Sequence, residues 1–332
     1  MVARAAATLA AMTPRGRVFF LVTLAAVLGS GLVVAGVLAT RNHVAAAPKP
    51  RSGRPPITLD LGVRTDREAQ DLNRAQQLYA DKRYGQARRI FDRYRSLEAQ
   101  VGSALASWPD HSLEDLQALA SDHPRSSLLA LHLGLAYYWD RREQQALSSW
   151  QAAQALQPDT SYAIRADDFL HPRFAPGLPG FVPSFQAPLR IRVLEPARRL
   201  AALQRQAEGG GAQAKLLYGA ALQQLGHPRS AEKQFAAAAR LDPNDPDARV
   251  AAAVGLFDKA DPSQAFGRLG PLVRVFPHAQ TVRFHLGLLL LWSAQVAPAR
   301  TQLTQARNDD PASLLGKEAN RYLAALRGVG TR

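Results

Sequence analysis

The sequence predicts an all-α protein, a solenoid of stacked helix hairpins that follows one apolar membrane segment. Three observations carry this. Proline recurs at an interval of 34 residues, at Pro243, Pro277 and Pro311. A small residue keeps the same interval at Ala231, Ala265 and Ala299, and a large apolar residue keeps it at Phe235, Leu269 and Leu303. Self-similarity at such a period marks a repeat architecture, in which a single hairpin cannot bury its apolar face alone and stacking supplies the core. With 47% hydrophobic and 20% charged residues, the 332-residue chain is too apolar to be disordered. It contains no cysteine, which excludes a disulfide scaffold, a thiolate metal site and a Cys nucleophile together.

Residues 1–17 form a short tail. Residues 18–40, VFFLVTLAAVLGSGLVVAGVLAT, are 23 without a charge, and as a helix they reach roughly 34 Å, enough to cross a bilayer. The apolar region of a cleavable signal peptide is shorter, roughly 7 to 15 residues, so an uncleaved anchor is the favoured reading. Arg4, Arg15 and Arg17 precede the anchor, and Arg41, Lys49, Arg51 and Arg54 follow it. A short basic tail resists export, which places the N-terminus in the cytoplasm and the bulk of the chain outside it, in a bacterial cell membrane. The small residues Ala25 and Gly29, and Gly31 and Ala35, have the spacing that lets two such helices approach as a homodimer. Residues 41–64, rich in Pro, Ala and Arg, read as an extended spacer.

The repeats are expected over 68–326. A unit near 68–101 carries Ala75, Leu78, Tyr84, Ala87 and Phe91. Residues 93–126 fit poorly, keeping mainly Leu116 and Pro124, and are expected to supply a long second helix and an extra one. The unit 127–160 holds Leu133, Gly134, Tyr137, Ala146, Trp150, Ala153 and Pro158. Residues 161–211 read as one interrupted unit, with helices at 161–170 and 195–207 around an insert at 174–193. Three regular units follow at 212–245, 246–279 and 280–313, and a terminal helix at 313–326 covers the last apolar face.

This pattern resembles the tetratricopeptide repeat family. In the unit from 212, Gly219, Leu222, Ala231, Phe235, Ala238 and Pro243 fall on unit positions 8, 11, 20, 24, 27 and 32. From 280, Leu286, Gly287, Leu290, Ala299, Leu303, Ala306 and Pro311 fall on 7, 8, 11, 20, 24, 27 and 32. The middle unit departs with Ala253 at 8 and Leu272 at 27. The resemblance implies a right-handed superhelix whose concave face, lined by the first helix of each unit, binds peptides or protein segments.

On that resemblance the lining includes Leu131, Leu135, Tyr138 and Trp139 from the unit at 127, Leu216, Ala220 and Gln223 from 212, Asp247, Val250, Val254, Phe257 and Asp258 from 246, and Phe284, Leu288, Leu291 and Trp292 from 280. The lining is apolar and aromatic, which suits an apolar helix or an extended segment; the competing reading is that several of these side chains are packed core. Chaperone-binding members of the family clamp a carboxylate terminus with Lys, Arg and Asn at such positions, and that pattern is absent. The insert sets Phe174, Phe181 and Phe185 among prolines. Three exposed phenylalanines beside an apolar groove are costly in water, so the insert is expected to fold back into it.

No catalytic site, metal or cofactor is expected. HExxH, GxSxG and GxxxxGK[ST] are all absent. The eight histidines lack ligand spacing and read as scattered polar positions. Asp167–Asp168 and Asp309–Asp310, adjacent on a helix, would point about 100° apart, a poor arrangement for paired acid and base. The formal charge of +14 is spread along the chain, which speaks against a nucleic-acid partner. The sequence reading is therefore a non-enzymatic, membrane-tethered interaction scaffold or holdase-like adaptor in envelope assembly. Its alternatives are a cytoplasm-facing membrane adaptor and a basic binder of nucleic acid or anionic lipid.

Overall fold

The computed structural model describes residues 51–328. The 1–17 tail, the 18–40 anchor and the first part of the spacer lie outside the described residues. Among the described residues no helix is long and apolar enough to cross a membrane. The chain divides into two compact units, whose described parts are residues 51–170 and 171–328. All regular structure described is helical.

The N-terminal unit contains α1 (Arg67–Ala80), α2 (Tyr84–Phe91), α3 (Leu97–Ala106), α4 (Ser112–Asp122), α5 (Ser127–Trp139), α6 (Glu143–Leu156) and α7 (Ser161–Leu170). Helix starts are written in the sequence: Asp66, Ser96 and Ser126 each accept a hydrogen bond from the backbone N–H three residues on, at Ala69, Ala99 and Leu129. Residues 93–126 differ from expectation. They make a hairpin of their own, α3 and α4, instead of a long second helix plus an extra one. The Ser96 cap starts a new helix soon after α2 ends, and Gly102, which has no Cβ, leaves room for the Phe91 ring.

The C-terminal unit contains α8 (Leu189–Arg192), α9 (Pro196–Gly209), α10 (Ala212–Gln224), α11 (Pro228–Leu241), α12 (Pro246–Val254), α13 (Ser263–Leu269), α14 (Leu272–Val275), α15 (Gln280–Trp292), α16 (Val296–Asp309) and α17 (Leu314–Ala325). Proline opens α9, α11 and α12, where its missing N–H costs nothing. The second helix of the middle hairpin is broken into α13 and α14 at Gly270–Pro271. The insert, expected as loop throughout, includes the short helix α8.

The repeat positions do the packing the register implies. A Cβ on Gly219 would lie 2.5 Å from the Phe235 ring, and one on Gly287 would lie 2.8 Å from Leu303. Unit position 8 must therefore be small for position 24 to fill the space between paired helices. Each unit has its own buried cluster. That of the N-terminal unit includes Phe91, Leu116, Leu131 and Trp150, and that of the C-terminal unit includes Phe235, Leu269, Phe284 and Leu303. First helices neighbour one another: α1, α3, α5 and α7 in one unit, α10, α12, α15 and α17 in the other.

Candidate functional site: two faces filled by the chain itself

In the N-terminal unit, the face formed by the first helices holds an extended segment of the chain. Residues 51–61, expected as part of a free spacer, are instead a strap against this face. The Pro/Ala/Arg composition hid an apolar alternation: Ile57, Leu59 and Leu61 recur with period two and are all buried. The strap also uses its backbone. Thr58 N–H donates to His132 Nε2 (3.1 Å), Leu59 N–H to Gln76 Oε1 (2.8 Å) and Asp60 N–H to the Tyr162 hydroxyl (2.9 Å). The Tyr79 hydroxyl donates to Pro55 O (2.7 Å), and Ser161 Oγ to Asp60 Oδ2 (2.5 Å). Burial holds the Tyr79 and Tyr162 phenols well above their ordinary pKa, so both stay protonated, Tyr79 as a donor to the strap and Tyr162 as an acceptor from it. At the strap's start Arg51 lies over the Tyr138 ring and pairs with Glu143 at 3.2 Å, and Arg54 donates to Ala106 O at 2.7 Å.

The C-terminal unit repeats the arrangement with the insert. Residues 174–185 form a second strap. Ala175 N–H donates to Trp292 O (2.9 Å) and Trp292 Nε1 donates to Pro176 O (3.2 Å). Gln223 acts as a two-point clamp, accepting from Phe181 N–H and donating to Pro179 O, both at 2.9 Å. Val182 N–H donates to His285 Nε2 (2.9 Å), and Ser184 donates to Asp247 Oδ2 from both its N–H (3.0 Å) and its hydroxyl (2.6 Å). Phe181 is buried, stacked on the His285 ring with centroids 5.0 Å apart and edge-on to Phe235 at 5.4 Å. Phe174 meets Phe257 edge-on at 6.4 Å, and Phe185 is half-buried against the same cluster.

Two histidines depart from the expectation of scattered polar positions. His132 and His285 are fully buried, and both occupy position 6 of their units. In each, Nδ1 lies 2.7 Å from a carbonyl one turn back, Leu128 O and Thr281 O. A carbonyl only accepts, so Nδ1 carries the proton and Nε2 is left as the acceptor that a strap N–H needs. Burial lowers both imidazoles to about 4; the backbone carbonyls oppose this, as does Asp247 at His285.

The predicted lining residues lie as follows. Leu131 and Leu135 are buried in the cluster that includes Ile57, Leu59 and Leu61; Tyr138 and Trp139 are half-buried at its edge, their rings 5.6 Å apart. Phe257, Phe284, Leu288, Leu291 and Trp292 are buried in the cluster that includes Ala175 and Phe181. The strap and the lining thus share one core in each unit. Of the residues that grip a strap, Gln223, Asp247 and Trp292 stand in the predicted lining, whereas Gln76, His132, Tyr162 and His285 do not. Asp167 is buried and accepts from Gln154 at 2.7 Å, so it is a packed polar group. Among the described residues no group of three or more His, Asp or Glu is placed to hold a metal ion.

No family model matches the chain, and no curated protein matches it. Solved structures that match it are tetratricopeptide repeat proteins. One, from Parabacteroides merdae, shares 10% identity over 78% of this chain and 98% of its own, with a TM-score of 0.33. YrrB, described as having an unusual peptide-binding site, shares 13% over 63% of this chain and 99% of its own, with a TM-score of 0.30. The TPR2AB domain of yeast Sti1, solved with an HSP90 peptide, shares 12% over 78% and 97%, with a TM-score of 0.28. The chain is an all-α helical-repeat protein, and its tetratricopeptide character rests on its own 34-residue register.

Proposed function

We propose that this chain is a non-enzymatic protein-interaction scaffold whose two first-helix faces recognise extended, apolar polypeptide. One observation carries the reading: in both units an extended segment lies on that face, gripped through its backbone by side chains of the first helices and buried through alternate or proline-spaced apolar residues. Backbone capture gives affinity, and the pockets for side chains give preference. In this reading residues 18–40 anchor the scaffold in a bacterial cell membrane, the repeats lie outside the cytoplasm, and the bound partners are apolar segments of envelope proteins under assembly.

The test uses a defined probe. A fluorescent peptide with the sequence of residues 174–185 is titrated into full-length chain in which those residues are replaced by a Gly/Ser segment of equal length. Saturable binding, lost when Gln223 is also changed to Ala, is expected. Absence of binding by a folded variant refutes the reading. Alkaline phosphatase fused after Arg332 checks the topology: activity is expected, and an inactive fusion with a fluorescent green-protein counterpart refutes it.

A further inference from the structure

The two units share a latch. In each, a strap runs from the C-terminal ends of the first helices toward their N-terminal ends. The first goes from Arg51 at Tyr138 to Asp60 at Ser161 and Tyr162. The second goes from Pro176 at Trp292 to Ser184 at Asp247. In each, a glutamine on the first helix of the leading hairpin and a position-6 histidine two first helices further on accept two consecutive strap N–H groups. These are Leu59 and Thr58 in the first strap, and Phe181 and Val182 in the second. Both imidazoles are fixed in the same tautomer by a carbonyl one turn back. The same solution thus occurs twice in one chain, with different strap sequences.

We propose that the straps keep both faces closed, and that protonation of His132 and His285 releases them, so that acid opens the faces to an incoming extended segment. A proton on Nε2 would set it, as a donor, against the N–H of Thr58 or Val182 and remove the acceptor on which the latch depends. A backbone N–H cannot reverse its role, so the strap must move or the proton must stay off.

The neighbours of the two rings do not cancel this. Facing His132 are the Tyr162 ring of α7 at 6.5 Å between centroids, the Leu128 carbonyl of α5 and the strap backbone, and among the described residues no charged group acts on the imidazole. Around His285 are Phe181 of the strap, Phe284 and Thr281 of α15, and the Asp247 carboxylate of α12, which among the described residues is the charge that favours the imidazolium. Asp247 also accepts both bonds from Ser184, so a charged His285 would draw on the carboxylate that holds the strap's far end.

If a covered imidazole titrates at about 4 and a released one at about 6.5, release becomes about 30-fold more favourable at pH 5 than at pH 8, per strap. The experiment is hydrogen exchange of the full-length protein at pH 8, 6.5 and 5, each amide normalised to its intrinsic rate. Opening of 51–61 and 174–185 is expected to rise by about that factor while the helices stay protected. H132Q should flatten the response of the first strap only, and H285Q that of the second only. The proposal is overturned by strap exchange that ignores pH, by straps and helices opening together, or by glutamine variants that respond like the original chain. Should a variant fail to fold, ring titration by NMR in the unmodified protein decides: apparent values at or above 6 overturn the latch, and lower values support it. The latch rests on the peptide-binding reading, and the same labelled 174–185 peptide added at pH 5 separates the two. Straps that open without binding the probe sink the binding reading alone, whereas probe binding with no pH-dependent opening sinks the latch alone.

Discussion

Replacing Phe181 with Ala tests whether the second strap is part of the core or merely rests on it. The ring is 4% exposed, stacked on His285 and edge-on to Phe235. Losing its apolar surface removes about 3 kcal/mol of transfer free energy, and two aromatic contacts add about 0.5–1.5 kcal/mol each. The sum, about 4–6 kcal/mol, overlaps the roughly 3–5 kcal/mol typical of buried Phe-to-Ala changes, which is taken as the expected range. If the strap and the helices of residues 171–328 unfold as one body, a loss of about 3–5 kcal/mol lowers their melting temperature by about 6–20 °C at roughly 2–4 °C per kcal/mol. If the strap can detach first, the melting shift is smaller and the missing part reappears as faster exchange at 174–185. Calorimetry and hydrogen exchange on one sample measure both. A shift under about 1 kcal/mol with unchanged strap exchange would refute the placement of Phe181.

Gly219→Val places a branched side chain where even a Cβ meets Phe235 at 2.5 Å, and should cost about 2–3 kcal/mol by overpacking, read as a lower midpoint in urea. Ser313→Ala removes the cap that accepts from Gly316 N–H at 2.9 Å and should cost about 1 kcal/mol, seen as early fraying of α17. Gln76→Ala removes the acceptor of Leu59 N–H, leaving a half-buried donor unpaired at about 1–3 kcal/mol, and exchange at Leu59 should accelerate before that of α1. Stability should also fall with pH. His132 and His285 titrate at about 4 when folded against an ordinary 6.5, so the unfolded chain binds more protons between those values. Each histidine then removes up to about 3 kcal/mol as pH drops from 6.5 to 4, and a denaturation midpoint that is flat across that window contradicts the burial.

The periodic prolines and the alternation of small and large residues at unit positions 8 and 24 made the regular hairpins legible, because both follow from local packing. Residues 93–126 were less so. Their fit depends on Phe91 of the preceding helix meeting Gly102, a contact between units that a unit-by-unit register does not display. The straps divide in the same way. The insert's phenylalanines beside an apolar lining pointed to a folded-back segment, whereas 51–61 was hidden by its prolines and arginines even though Ile57, Leu59 and Leu61 alternate in plain view. His132 and His285 could not be told from surface histidines, since each is buried under a segment 74 or 103 residues away. The 18–40 anchor remains a reading of sequence alone.

A plain stack of hairpins touches only its nearest neighbours along the chain, and such arrays tend to melt from their ends inward. Here each array is stitched lengthwise. Contacts such as Arg51 to Glu143, Asp60 to Tyr162 and Pro176 to Trp292 span 92, 102 and 116 residues, joining turns that would otherwise fray independently. Such stitches should make either half come apart in a single sharp transition instead of unzipping. They should also make its folding wait on a long loop closure that an unstitched array of equal size would not face.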